Sequence, residues 1–387
     1  MSDVRTHNGA AYGPHRGQAQ PGHGQAYPPH GQAQPGYGQA QPPHGQAHPQ
    51  PSHHHPQAAP HAPAGRGPGE AAVLAHAYGV VRSMGDALMG ALGQVILGQD
   101  EVLRCVVIAL LADGHVLLEG APGVGKTQIA RTVATLVGGR FARVQCTPDL
   151  MPSDVVGTSL VVDGAGGGKE LSYRPGPIFA NFVLADEINR ATPKTQSAML
   201  EAMAERTVTV EGQPRPLPSP FFVMATENPI ESEGVFPLPE AQLDRFLMKL
   251  LVPMPDLETL ARIGARGEAP AASPIATPED LLRAQAVART VPAAPHVERY
   301  AARLVVETHK APGARYGAGP RAVQALMAAS RVRALLAGRA AVAADDVRAL
   351  APHVLRHRIG LRFEAEAQGL DAEGLVRKLL ETVPVES

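Results

Sequence analysis

Residues Val116–Ala130 read VLLEGAPGVGKTQIA. An apolar run ends in a glycine-rich loop, and the loop ends in Lys126-Thr127. The segment Gly120-Ala-Pro-Gly-Val-Gly-Lys126-Thr127 fits GxxxxGK[ST]. A strand before the pattern and a helix after it supply the context that makes it specific. Backbone N–H groups of 123–127 can point inward at phosphate, aided by the positive end of the helix that follows. Glycines let the backbone close around such a ligand. Lys126 is placed to reach the β- and γ-phosphates of a nucleoside triphosphate, and the Thr127 hydroxyl to bind Mg²⁺.

Outward from the loop, strand and helix signals alternate. Strands are predicted at 115–119, 141–146, 181–186, 221–226 and 247–252, with helices at 72–97, 102–112, 125–137, 193–205 and 239–245. Alternation of this kind predicts an α/β fold, a parallel sheet with helices on both faces. Two hairpin-like insertions interrupt it, at 155–174 and at 207–219, where Glu211-Gly212 is a turn signal. After Pro253-Met254-Pro255 the pattern reads as purely helical, over 256–266, 277–289, 295–310, 319–337, 343–355 and 371–381. Thr277-Pro278 supplies a cap with Pro at the first helical position. The expected organisation is a tail over 1–69, a nucleotide-binding domain over 70–254 and a separate α-helical domain over 255–387.

The tail differs from the rest. Gln-Ala follows a glycine at Gly17, Gly24, Gly31, Gly38 and Gly45, every seven residues, yet no apolar seam accompanies the repeat. Its charged residues are Asp3, Arg5, Arg16 and Arg66, and it holds ten of the 16 histidines, including His53-His54-His55. Such a low-complexity segment is expected to be disordered, because it buries too little apolar surface to offset chain entropy. Metal binding by the histidines is open beside the plainer reading of a solvated arm.

Net charge is -1, aromatics are 4 % and Trp is absent. Neither a basic field nor a base-stacking platform is available, which argues against nucleic acid as the partner. Cys105 and Cys146 lie in apolar segments without CxxC spacing and read as buried thiols in a reducing compartment. With no signal-like N-terminus and no apolar run long enough to span a bilayer, a cytoplasmic location is expected.

Some 60 residues beyond the loop comes NFVLADEINRA. Its strand ends in Asp186-Glu187. Asp186 is placed to hold Mg²⁺ through its water shell, and Glu187 is the candidate general base for an attacking water. Adjacent carboxylates there argue against a nucleotide kinase, which must exclude water. A GTPase lacks support because no NKxD follows, and an ABC subunit because no LSGGQ follows. Asn228 stands just past the strand in FFVMATENP and could bond the γ-phosphate or the lytic water. Arg245 lies near a helix end in LPEAQLDRFLMKL, and Arg321 in a helix's first turn in YGAGPRAVQAL. An arginine there opposes the helix dipole and could reach phosphates across a cleft; a structural role for either arginine is the alternative.

These stretches, with VILGQDEVLRCVVIALLADGHVLLEGAPGVGKT and ATENPIESEGVFPLPEAQLDRF, resemble an AAA+ ATPase, and more closely the MoxR family, over about 80–381. The resemblance implies a homohexameric ring binding ATP and Mg²⁺ between neighbours. It makes Gly120, Ala121, Pro122, Gly123, Val124, Gly125, Lys126, Thr127 and Gln128 the Walker A cradle, Asp186 and Glu187 Walker B, and Asn228 sensor 1. Arg245 resembles the arginine finger and Arg321 the sensor 2 arginine, acting within its own subunit or a neighbour's. Gly98-Gln99 resembles the adenine-pocket stretch, and the two insertions the helix-2 insert and the hairpin before sensor 1, which would line the pore or touch a client. Glu227 departs from the Gln often found there.

The implied function is chaperone-like remodelling or activation of partner proteins, often with von Willebrand factor A domains. No DxSxS motif occurs here, so such a partner is a separate chain. Alternatives are a magnesium-chelatase-type motor subunit, a nucleic-acid motor or loader, and a nucleotide-gated scaffold that barely hydrolyses. The presence of Glu187 and Arg245 argues against the last.

Overall fold

The apolar runs flanking the loop assemble into one parallel sheet. In the computed structural model, which describes residues 68–163, 168–229 and 234–385, helices α1 (Pro68–Val95) and α2 (Asp100–Leu111) precede strand β1 (Val116–Glu119). Helix α3 (Lys126–Val137) opens directly after the loop. It is followed by β2 (Phe141–Gln145), the short α4 (Pro152–Val156), the hairpin strands β3 (Gly157–Asp163) and β4 (Lys169–Pro175), and β5 (Phe182–Asp186). Helix α5 (Pro193–Glu205), the hairpin strands β6 (Thr207–Val210) and β7 (Gln213–Pro216), β8 (Phe222–Glu227), α6 (Glu240–Leu243) and β9 (Met248–Leu251) complete the α/β part.

The five-stranded sheet has the order β2-β5-β8-β1-β9, and each of its pairings is parallel. Period-two alternation sorts the central strands between two cores. Val116 and Leu118 of β1, Phe182 and Leu184 of β5, and Phe222 and Met224 of β8 enter one cluster. Leu117, Val183, Ala185, Val223 and Ala225 enter the other. Burial on both faces is why these runs are continuously apolar. Each fully buried Val or Leu contributes roughly 1.5–3 kcal/mol.

Beyond β9 come α7 (Leu257–Arg266), α8 (Pro278–Ala288) and α9 (Pro295–Lys310). They are followed by β10 (Ala314–Tyr316), α10 (Pro320–Leu336), α11 (Ala344–Leu355), β11 (Gly360–Leu361), α12 (Phe363–Ala367) and α13 (Ala372–Thr382). The expectation of a purely helical region is corrected here: β10 and β11 pair antiparallel, Ala314 against Leu361. Segments of two and three residues carry no readable period, and their pairing is long-range. The helix expected over 239–245 is a single turn, and α1 begins at Pro68, inside the segment expected to belong to the tail. The repeats and histidines of residues 1–67 lie outside the described residues, as do residues 164–167 of the first insertion.

The described residues form one unit. Its larger core runs from Val81 of α1 through β1 and α3 to Leu326 of α10 and Val376 of α13, so the helices after β9 share apolar packing with the sheet's own helices. Both insertions are antiparallel hairpins. At the second, Glu211 (φ 54°) and Gly212 (φ 75°) form the left-handed two-residue turn that Glu-Gly signals. The Arg215 guanidinium lies over the Tyr173 ring, 3.9 Å from its centroid, linking the two hairpins.

Candidate active site

The loop between β1 and α3 runs along the C-terminal edge of the sheet. Gly123 (φ 81°) and Gly125 (φ 95°) take left-handed backbone conformations that a side chain resists. Gly125 is also the residue from which α3 starts. Val124 tucks into the core, so the loop is held by packing while its backbone faces outward. Lys126 Nζ donates to the carbonyls of Gly120 and, at 3.1 Å, Glu227.

Pro122, Gly123, Gly125, Lys126, Thr127, Gln128, Asp186, Glu187 and Asn228 gather around one cavity of about 490 Å³. Strands β5 and β8, paired in parallel, bring Asp186 and Asn228 to the same edge as the loop. Asp186 is buried, and its Oδ1 accepts from Thr226 Oγ1 at 2.7 Å. Thr127 Oγ1 stands 3.4 Å from its Oδ2. Glu187 takes the left-handed region (φ 57°, ψ 52°), uncommon for a side-chain-bearing residue. Its N–H donates to the same Thr226 Oγ1 at 2.8 Å. Thr226 thus ties the two carboxylate residues together across β5 and β8.

Four participants lay outside the expectations: Thr226, Arg143, Gln145 and Arg190. Arg143 Nε and Nη2 donate to Asp186 Oδ2 at 3.0 and 2.7 Å. Gln145 Nε2 and Arg190 Nη1 donate to Glu187 Oε2 at 3.3 and 3.1 Å. The signal for Arg143 and Gln145 is the pattern FARVQ, with polar residues two apart on an edge strand. It becomes legible once Gln145 is known to pair with Asp186.

The donors facing the cavity suit a hard cation. Thr127 hydroxyl and Asp186 carboxylate are oxygen ligands, and among the described residues no group of three or more His, Cys, Asp or Glu could hold a metal alone. An ion that keeps its waters and shares phosphate oxygens, as Mg²⁺ does, fits such a sparse set.

Gly98 and Gln99 line a second cavity of about 690 Å³, on the other side of Gly120, with Val252, Pro253, His353 and Arg356. Gln99 Nε2 donates to Pro253 O at 2.9 Å, while its buried Oε1 has no partner among the described residues. Burial and the neighbouring Arg356 push the His353 imidazole below its ordinary pKa, against the pull of Glu101.

Arg245 and Arg321 are brought to each other, and away from this edge. They line a third cavity with Asp244, Arg206 and Arg358. Leu247 N–H donates to His115 O at 2.8 Å, which places the segment at the N-terminal edge of β1 and β9, opposite the loop. Arg245 Nη1 donates to Leu200 O at 2.6 Å, and its buried Nε has no partner among the described residues. Arg321 is half-exposed, with Nε 4.0 Å from Asp244 Oδ2. Between them, buried Arg358 clamps Asp244 Oδ1 at 2.7 Å and the Phe246 carbonyl at 2.5 Å. Burial lowers the Arg358 pKa, and Asp244 restrains that shift. Sequence reading passed over Arg358, whose partners Asp244, Phe246 and Leu247 are more than 100 residues away.

A phosphate-type loop, paired carboxylates at a strand tip and a parallel sheet continued by packed helices define a P-loop ATPase of the AAA class. Residues 115–248 match the family described as "ATPase family associated with various cellular activities (AAA)", and residues 306–379 match the AAA lid domain. The chain is 44 % identical over 303 residues to Chaperone MoxR1 of Mycobacterium tuberculosis, covering 75 % of this chain and 79 % of that protein. It is 34 % identical over 330 residues to Protein MoxR of Methylorubrum extorquens, covering 76 % and 92 %. A crystal structure of a Cytophaga hutchinsonii protein superposes with a TM-score of 0.75 at 34 % identity, covering 82 % of this chain and 99 % of that one. The chain belongs to the MoxR family of AAA+ ATPases.

Proposed function

We propose that this protein hydrolyses ATP at the interfaces of a homohexameric ring and uses the cycle to remodel or activate a partner protein. One observation carries the reading: Arg245 and Arg321 share a cavity on the sheet edge opposite the Lys126 loop. Arginines so placed can serve a neighbouring subunit's nucleotide. An arginine supplied in that way is worth ~10³–10⁵ in phosphoryl-transfer systems.

In this reading the N–H groups of Gly123–Gln128 cradle the phosphates, and Lys126 leaves the Gly120 and Glu227 carbonyls for the β- and γ-oxygens. Gln99 Oε1 accepts from the adenine amino group in the second cavity. Mg²⁺, held by Thr127 Oγ1 and Asp186, would neutralise charge on the β- and γ-phosphate oxygens. Glu187 takes the proton of the attacking water, and Asn228 orients that water or the γ-phosphate. Arg245 and Arg321 meet the charge that spreads over the transferring group. Both act in trans.

The nucleotide-binding part ends near residue 254, and the helices of 255–387 act as the lid. The hairpins 157–175 and 207–216 face the client, for which a von Willebrand factor A domain protein is the family's model. Exposed Val161 and Leu171, paired on one face of the first hairpin, support a contact role. No described helix is long and apolar enough to cross a membrane, and both cysteines are buried free thiols. These fit a cytoplasmic protein.

The test is ATP turnover against protein concentration for wild type, Glu187→Gln and Arg245→Ala. Specific activity that rises with assembly, two inactive variants and partial recovery on mixing them support the reading. Activity that is flat with concentration and normal in Arg245→Ala overturns it.

A further inference from the structure

The Asp186 carboxylate is engaged on both oxygens. Oδ1 is taken by Thr226, whereas Oδ2 meets Thr127 Oγ1 at 3.4 Å and two donors of one guanidinium, Arg143 Nε at 3.0 Å and Nη2 at 2.7 Å. A full positive charge therefore lies on the oxygen that Thr127 also faces, where the proposed cation would bind. Asp186 is 7 % exposed, and a buried carboxylate without a counter-charge is costly. The Arg143 side chain is 48 % exposed and comes from edge strand β2, so it can leave into solvent without disturbing the core. Its Nη2 also donates to Gln145 Oε1 at 2.5 Å, and Gln145 reaches on to Glu187.

We propose that Arg143 is a positioning residue and a stand-in cation. It holds Asp186 toward the loop and is displaced from Oδ2 when Mg²⁺ enters with nucleotide. The inference rests on the reading of Asp186 as the Mg²⁺ carboxylate. Two cations on one carboxylate oxygen repel, so metal and guanidinium compete. No proton is transferred in this exchange.

The experiment is a titration of Mn²⁺, in place of Mg²⁺, into the full-length chain saturated with ADP, reading free Mn²⁺ by electron paramagnetic resonance. Arg143→Gln is expected to bind Mn²⁺ about 10-fold more tightly than wild type, the competing charge having gone. Arg143→Lys, which keeps the charge but offers a single donor group, falls between them; loss of fold would not produce that graded order. ADP affinity in EDTA stays within about two-fold for all three. Unchanged or weaker Mn²⁺ binding by Arg143→Gln, with ADP binding in EDTA intact, overturns the competition while leaving the nucleotide site standing. Asp186→Asn provides the other control. If it retains Mn²⁺ as wild type does, the metal assignment falls and this proposal with it.

Discussion

Lys249 Nζ lies 3.6 Å from Glu227 Oε2 while also pairing with Glu119 Oε2 at 2.6 Å. The register β8-β1-β9 aligns Glu227 with Glu119 and sets Lys249 on the neighbouring strand. Glu227 is therefore one of two carboxylates sharing an ammonium, and its backbone carbonyl accepts from Lys126.

Burial pushes the Glu227 carboxyl above its ordinary 4.5, aided by Glu119 and opposed by Lys249. A raised carboxylate pKa means the fold favours the protonated form. That preference is fully present below 4.5 and is lost as pH rises through the raised value. Glu227→Gln mimics the protonated form and leaves Lys249 its closer partner. The variant is expected to melt roughly 1–3 °C above wild type at pH 7.5. The difference should close as pH falls toward 4. Calorimetry across that range checks it, and a variant less stable at pH 7.5 contradicts the assignment.

Lys126→Ala and Arg321→Ala should each be inactive alone, yet a mixture should recover turnover. In a ring where Arg321 serves its neighbour, some interfaces pair an intact loop with an intact arginine. If Arg321 acted on its own subunit's nucleotide, mixing would give nothing beyond the sum of the two parts. Steady-state phosphate release from mixed variants decides between these.

Glu187→Gln should bind ATP as wild type does and lose about 10²–10⁴ in kcat, the usual scale for a removed general base. Nucleotide binding by calorimetry beside single-turnover hydrolysis separates the two steps. A weakened affinity with normal kcat would assign Glu187 to binding instead.

Asp346 is buried between Arg333 at 2.5 Å and Arg339 at 2.6 Å, and its Oδ2 accepts the Ala343 N–H at 2.8 Å. Burial alone would raise its pKa, but the arginines and the N–H outweigh it and hold the carboxyl below its ordinary value. The stability it lends is present above the ordinary carboxylate pKa and is lost as pH falls through the depressed one. Asp346→Asn should cost about 3 kcal/mol at pH 7, the low end for a broken buried pair because both arginines are partly solvated. Urea unfolding at pH 7, compared with an acid pH where the penalty shrinks, is the measurement.

Deletion of residues 1–67 should leave specific ATPase activity within about two-fold, since α1 begins at Pro68. A large loss in the truncated protein would give those residues a role in assembly or catalysis.

Much of this protein is written locally. The loop 120–127, the strand ends at Asp186 and Asn228 and the helix caps follow from spacing, periodicity and residue chemistry within a few residues of each position. So does the Glu211-Gly212 turn. What tertiary structure alone decided is which distant segments meet. Arg143 and Gln145 read as an unremarked strand until β2 is seen beside β5. Glu227 acquires its partner only because β9 lies next to β1. Arg245 and Arg321, 76 positions apart, meet at the edge away from their own loop because buried Arg358 pins Asp244 and Phe246 there. Periodicity records what each element buries but not its neighbour. Strand order and the long-range contacts that choose it lie beyond any local pattern.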